Sequence, residues 1–274
     1  MSWLTAAILG AVQGATEFLP ISSSGHLVIF SKLCGCAELP LAFVVVTHFG
    51  TLLAVVAYYR RDFADMLRSL VIWSAADAGQ HEQLNHSRRL VGLLVLGTIP
   101  AAVAGMLLED YVAALFNSLL AVGVALVITG LILLGVNWLS GRKERDSTTL
   151  VDALLIGVAQ AVALVPGISR SGLTIAAGLG RGLDREWAPR FAFLLSAPVI
   201  LGGTTVEVLR LIEQPVAPAE LQAYLWGGLV AAVAGYFAVH LVVKAVRQGN
   251  LIYFSAYCIV IGIAAALAGG IHPS

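Results

Sequence analysis

Six long apolar stretches, roughly residues 41–59, 90–108, 114–138, 189–210, 222–243 and 251–270, constrain this chain more than any other feature. Each approaches or exceeds the ~20 residues that a helix needs to cross a bilayer's hydrocarbon core. Within that core every backbone polar group must be satisfied internally, and a run of this length does so as a helix. Charge agrees: 12% of the residues are charged and 59% hydrophobic, against about 25% charged in a soluble domain. Such a chain cannot cover a water-facing surface, so membrane lipid is its solvent. The fold class expected is an all-α polytopic membrane protein. The formal net charge is +0, with no interleaving of basic and aromatic residues, so no nucleic-acid partner is expected. The amino-terminal segment carries no cation before Lys32 and is interrupted by Glu17. It is therefore expected to stay in the mature protein rather than act as a signal peptide.

Two further apolar segments, about 3–35 and 150–180, are broken in their middles by Pro20-Ile-Ser-Ser-Ser-Gly25 and Pro166-Gly-Ile-Ser-Arg-Ser-Gly172. That much turn chemistry does not belong at the centre of a straight helix. Two re-entrant helical hairpins, each with a polar tip buried by protein or water, fit better. The segments also match one another. A shift of 147 positions lays Gly10 on Gly157, Gln13 on Gln160, Ile21 on Ile168, Ser22 on Ser169, Ser24 on Ser171 and Gly25 on Gly172. Each hairpin is followed by three spans, so the chain divides into two repeats, 1–138 and 139–274, within one membrane domain. Most of the Lys and Arg, from Arg60 and Arg61 through Arg142, Lys143 and Arg145 to Lys244 and Arg247, fall on one side. Glu38, Glu109, Asp110, Glu213 and Glu220 fall on the other. Cationic loops mark the cytoplasmic face. An odd number of spans per half inverts the second repeat, so the two tips can meet near the midplane. Both termini are then expected outside.

The tips carry the chemistry. Gln13 and Glu17 are four apart and share a helix face. A carboxylate at membrane depth costs at least about 2.5 kcal/mol and demands a cation, a metal or a proton. Ser22, Ser23, Ser24 and Gly25 open a second half-helix, whose free N–H groups and positive dipole end form an anion cradle. Gly167, Ser169, Ser171 and Gly172 repeat that cradle and add Arg170, whose guanidinium fork matches phosphate oxygens. The halves have diverged: Leu164 stands where the first has Glu17, and Leu173 where it has His26. One half supplies acid–base groups and the other the cation, which points to a phosphate or diphosphate ligand.

Plainer readings exist. Gln13 and Gln160 can bridge helices, the serines can be N-caps, and Glu17 with Arg170 can be a buried ion pair. His48 and His240 sit in spans and read as packed or pore-lining, with packing preferred; His81 and His86 read as belonging to a polar loop, and Asp152 as a helix cap. Cys34, Cys36 and Cys258 read as small apolar fillers.

With Gln13-x-x-x-Glu17, Phe18-Leu-Pro-Ile-Ser-Ser-Ser-Gly-His26 and Pro166-Gly-Ile-Ser-Arg-Ser-Gly172 in place, the chain resembles the undecaprenyl-diphosphatase family, the bacitracin-resistance phosphatases, over essentially its whole length. The resemblance implies removal of one phosphate from a polyprenyl diphosphate lipid, yielding the monophosphate carrier used for cell-wall polymers. It implies a divalent cation, Mg²⁺ or Ca²⁺, and a bacterial cytoplasmic membrane location with the active site open to the outer side. It implies roles for Gln13, Glu17, Ser22, Ser23, His26, Ser169, Arg170 and Ser171. The first motif position is Gln13 rather than Glu, so Glu17, with less help from Gln13, is the main expected metal ligand. Ser23 or an activated water is the expected nucleophile, with His26 moving a proton. The competing class is a transporter or flippase of a phosphorylated lipid or anion built on the same inverted repeats. A homodimer is an admissible assembly.

Overall fold

The computed structural model describes residues 1–33, 40–72, 78–139, 145–211 and 217–271. Arg142, Lys143, Cys34, Cys36, Glu38 and Glu213 lie outside them. The described residues form twelve helices: α1 (Trp3–Phe18), α2 (Ser23–Leu33), α3 (Leu41–Tyr58), α4 (Arg60–Val71), α5 (Ala78–Leu107), α6 (Glu109–Phe116), α7 (Leu119–Leu139), α8 (Leu150–Val162), α9 (Arg170–Gly180), α10 (Trp187–Leu211), α11 (Pro218–Arg247) and α12 (Leu251–Ile271). Six of these, α3, α5, α7, α10, α11 and α12, are long and apolar enough to cross a membrane. The protein is an all-α polytopic membrane protein.

The element boundaries depart from expectation in two places. α5 begins well before the span expected at residue 90, so His81 and His86 stand on helix and not in a loop. The stretch expected as one span at 114–138 is divided. Its first residues belong to α6, and the break falls at Asn117, whose N–H turns back to the Ala114 carbonyl at 3.3 Å.

Lipid tails are as apolar as leucine, so helices here associate by close fit and not by hydrophobic segregation. The fit is made by small residues. A Cβ at Gly10 of α1 would run into the backbone of Gly227 in α11, and a Cβ at Gly157 of α8 into that of Gly97 in α5. Each of the two broken segments thus lays its first helix on a long helix of the other half. α7 and α12 cross antiparallel in the same manner, Gly123 facing Gly262 and Ala266.

One end of the bundle is tied by cations. Buried Asp152 caps α8 together with Thr149, and Arg145 and Arg181 both bond its carboxylate at 2.8 Å. Arg190 of α10 pairs with Asp62 of α4. Arg88 donates to the Ser69 carbonyl at 2.9 Å, and Arg247 pairs with Glu186 at 2.6 Å.

Candidate active site

Both expected breaks are present, and they touch. α1 ends at Phe18, and Ser22 takes a left-handed backbone, φ 68°, that L-residues seldom adopt. Its Oγ accepts from Gly25 N at 3.2 Å and so caps the start of α2. In the other half Gly167 has φ 95°, and Ser169 Oγ accepts from Gly172 N at 3.1 Å, capping α9. The N-cap reading of Ser22 and Ser169 is therefore realised. A Cβ at Gly25 would stand 3.2 Å from Gly167 Cα, and one at Gly172 3.3 Å from Pro20 Cβ. A side chain at either glycine would crowd the neighbouring tip. Ser171 Oγ donates to the Leu19 carbonyl at 3.2 Å, and Ser24 Oγ lies 3.2 Å from Ser22 Oγ. Two spans steady the tips. Thr129 of α7 donates to the Gly167 carbonyl at 3.3 Å and accepts from Ser169 N at 3.1 Å. Cys258 of α12, expected only as filler, reaches the Pro20 carbonyl at 3.4 Å.

Glu17 sits where the tips meet and is 7% exposed. Its Oε1 is bonded by Arg170. Its Oε2 accepts from Ser23 Oγ at 2.8 Å and from Gln13 Nε2 at 2.9 Å. The carboxylate is fully engaged, as burial at this depth requires. Arg170 is held further by a long contact to the Ser196 carbonyl, 3.5 Å.

His48 of α3 belongs to this cluster, contrary to the preferred, packed reading of its sequence position. Its Nδ1 donates to the Val44 carbonyl at 2.9 Å, which leaves Nε2 as acceptor for the Gln13 amide at 3.3 Å. Protonation would turn Nε2 into a donor only 4.0 Å from Glu17 Oε2. A titratable group inside an apolar span was the available signal; spacing alone did not say which way it faced.

His26 goes elsewhere. Its Nδ1 donates to the Ser22 carbonyl at 2.7 Å, and its Nε2 lies 2.7 Å from the Tyr257 hydroxyl. The two rings stack, 5.6 Å apart and 8° from parallel. Tyr257, on α12, had no sequence signature.

A cavity of about 260 Å³ opens over the cluster, lined by Glu17, Ser23, His48, Gln160, Arg170 and Glu207 among others. A carboxylate, a guanidinium and a hydroxyl lining one cavity can bind a phosphate and take a proton from Ser23.

The chain matches the family model described as bacitracin resistance protein BacA over residues 6–264. It is 40% identical to an undecaprenyl-diphosphatase of Carboxydothermus hydrogenoformans, across 96% of each chain. It is 42% identical to one of Trichlorobacter lovleyi and 41% identical to one of Desulforapulum autotrophicum, again across 96% of each chain. By a match that spans nearly its whole length, the chain belongs to the bacitracin resistance protein BacA family.

Proposed function

We propose that this protein hydrolyses a polyprenyl diphosphate, undecaprenyl diphosphate first among them, to the lipid monophosphate and inorganic phosphate, returning the carrier to cell-wall polymer synthesis. The observation that carries the reading is Glu17 held between Arg170 and Ser23 beneath a cavity in a membrane bundle. Relatives named for this activity at about 40% identity support it.

Phosphoryl transfer needs positioning and charge neutralisation above all. Arg170 takes the terminal phosphate, exchanging the Glu17 carboxylate for phosphate oxygens. The Ser23 Oγ–H already points at Glu17 Oε2, 2.8 Å away, so Glu17 accepts the proton as Oγ attacks terminal phosphorus. The bond from that phosphorus to the bridging oxygen breaks, and the lipid monophosphate leaves. Water then opens the phosphoserine, releasing inorganic phosphate and restoring the hydroxyl. The Ser22 and Ser169 caps hold the two helix N-termini toward the developing charge. His26, aimed through Nε2 by the Tyr257 hydroxyl, is a second proton carrier.

A divalent cation, Mg²⁺ or Ca²⁺, fits the donor set. Gln13 Oε1 is buried without a partner among the described residues, on the side chain whose Nε2 already bonds Glu17. Glu17 and Gln13 Oε1 would hold the ion, and phosphate oxygens and water would complete its shell. The ion supplies further neutralisation of phosphate charge.

The two halves act as inverted repeats, a reading supported by the reciprocal crossings of Gly10 on Gly227 and Gly157 on Gly97. The arginine-tied end then faces the cytoplasm by the positive-inside rule, and the cavity opens outward from the cytoplasmic membrane. Phosphate release from a long-chain polyprenyl diphosphate by purified protein, with Mg²⁺ and with chelator, tests the activity. Metal-dependent release is expected. Binding and passage of the lipid across vesicles without release would establish transport instead.

A further inference from the structure

The cavity is lined by groups of different chemistry. Glu17, Arg170 and Ser23 form a charged cluster. α8 and α10 contribute Gln160 and Thr204, with Leu164, Ile200 and, one turn beyond Thr204, the carboxylate of Glu207 also in the lining. Gln160 is 2% exposed and Thr204 7%. Both amide atoms of Gln160, and the hydroxyl of Thr204, have no hydrogen-bond partner among the described residues. Buried polar atoms are nearly always paired, and leaving them unpaired is costly. Three in one cavity lining call for a ligand. The repeat explains how the amide became free. Gln13 bonds the carboxylate four residues on, Glu17. The same step from Gln160 reaches Leu164, so the Gln160 amide has no acceptor on its own helix face.

We propose that Gln160 and Thr204 form a neutral phosphate-binding pair for the inner phosphate of the substrate, the one that carries the prenyl chain. The inference rests on the diphosphatase reading above. In a diphosphate monoester the inner phosphate has one ionisable oxygen and the terminal phosphate two. The guanidinium therefore suits the terminal group, and neutral N–H and O–H donors suit the inner one. Leu164 and Ile200 beside the pair suit the first apolar carbons of the chain. Gln160 Oε1, an acceptor only, takes a bound water. After cleavage the inner phosphate remains on the product, so the pair also sets how firmly the lipid monophosphate is retained.

The test uses the full-length protein in detergent with Gln160→Leu and, separately, the isosteric Thr204→Val. Each loses a hydrogen bond to a charged group, and KM for the polyprenyl diphosphate is expected to rise about 10- to 100-fold. The inhibition constant of the polyprenyl monophosphate should rise in step, while kcat and inhibition by inorganic phosphate stay near wild type. The ligand-free Tm should hold or increase, because an unpaired amide or hydroxyl has been removed. A lowered Tm with loss of kcat would make the residues structural supports and overturn the inference. So would an unchanged KM, or weakened inhibition by inorganic phosphate in place of the lipid monophosphate. Wild-type protein that releases no phosphate would sink the diphosphatase reading but still test the pair. In that case the Tm shift produced by the lipid diphosphate should shrink in both variants, and an undiminished shift would overturn the pair by itself.

Discussion

Arg170 and Glu17 stand 153 positions apart, one in each half of the chain, and a guanidinium nitrogen of Arg170 bonds Oε1 of Glu17. The pair joins the two tips and neutralises a carboxylate that could not otherwise remain charged in the bundle. Glu17→Gln and Arg170→Gln should each lower kcat/KM by about 10²–10³-fold, the scale for losing an oriented group at a reacting phosphate. Arg170→Lys should recover little, because an ammonium cannot reproduce the fork. The double variant should fall far short of the summed losses, as expected of coupled residues. Full additivity in steady-state kinetics would separate their roles.

Ser22 and Ser23 are neighbours with different work. Ser22 caps α2, so Ser22→Ala should cost about 1 kcal/mol of stability and leave most turnover. Ser22→Gly should be the milder change, because glycine accepts the φ of 68° without strain. Ser23→Ala should abolish turnover, and acid quench of wild-type protein with terminally labelled substrate should trap phosphoserine. Residual hydrolysis in Ser23→Ala, with no trapped label in wild type, would favour direct attack by water.

Tyr257 fixes His26 by a hydroxyl contact and by stacking. Tyr257→Phe keeps the ring and removes the hydroxyl. Proton transfer by a positioned side chain contributes about 10²–10⁴-fold, so misaiming His26 should cost a fraction of that in kcat with KM little changed. A kcat identical to wild type would show that the His26 seen here is a structural residue.

Gly10 and Gly157 make equivalent crossings. Replacing either by Val must push a pair of helix backbones apart, and overpacking of this kind costs about 1–3 kcal/mol or more. The two variants should lose similar amounts of Tm. A large loss at one and none at the other would speak against equivalent halves.

Asp152 is wholly buried beneath Arg145 and Arg181, which are partly exposed. Asp152→Ala removes two charge-assisted bonds and half of a capping box, an expected loss of about 2–3 kcal/mol. Because this knot lies at the start of α8, away from Glu17, purified protein below its Tm should keep its kcat. Thermal unfolding and turnover together check the prediction.

Length and apolarity alone dictated six spans, because a bilayer admits few ways to satisfy a backbone and a helix of about 20 residues is the simplest. The two helix breaks were equally legible. Proline, glycine and serine at a segment's centre act locally, and Ser22 and Ser169 cap their helices as their positions implied. Glu17 and Arg170 announced each other by cost, since each charge at membrane depth needs an opposite one. Tertiary structure decided what rotation about each helix axis decides: that His48 faces the cluster, that His26 meets Tyr257, that Thr129 and Cys258 grip the tips, and that Gln160 lines a cavity with no hydrogen-bond partner among the described residues. In a soluble helix an apolar stripe marks the inner face. Here Leu53, Leu131 and Val233 are exposed on the outside of the bundle and are as apolar as the residues packed inside. The usual stripe is erased, and only the packing of the assembled bundle determines which side chains look inward.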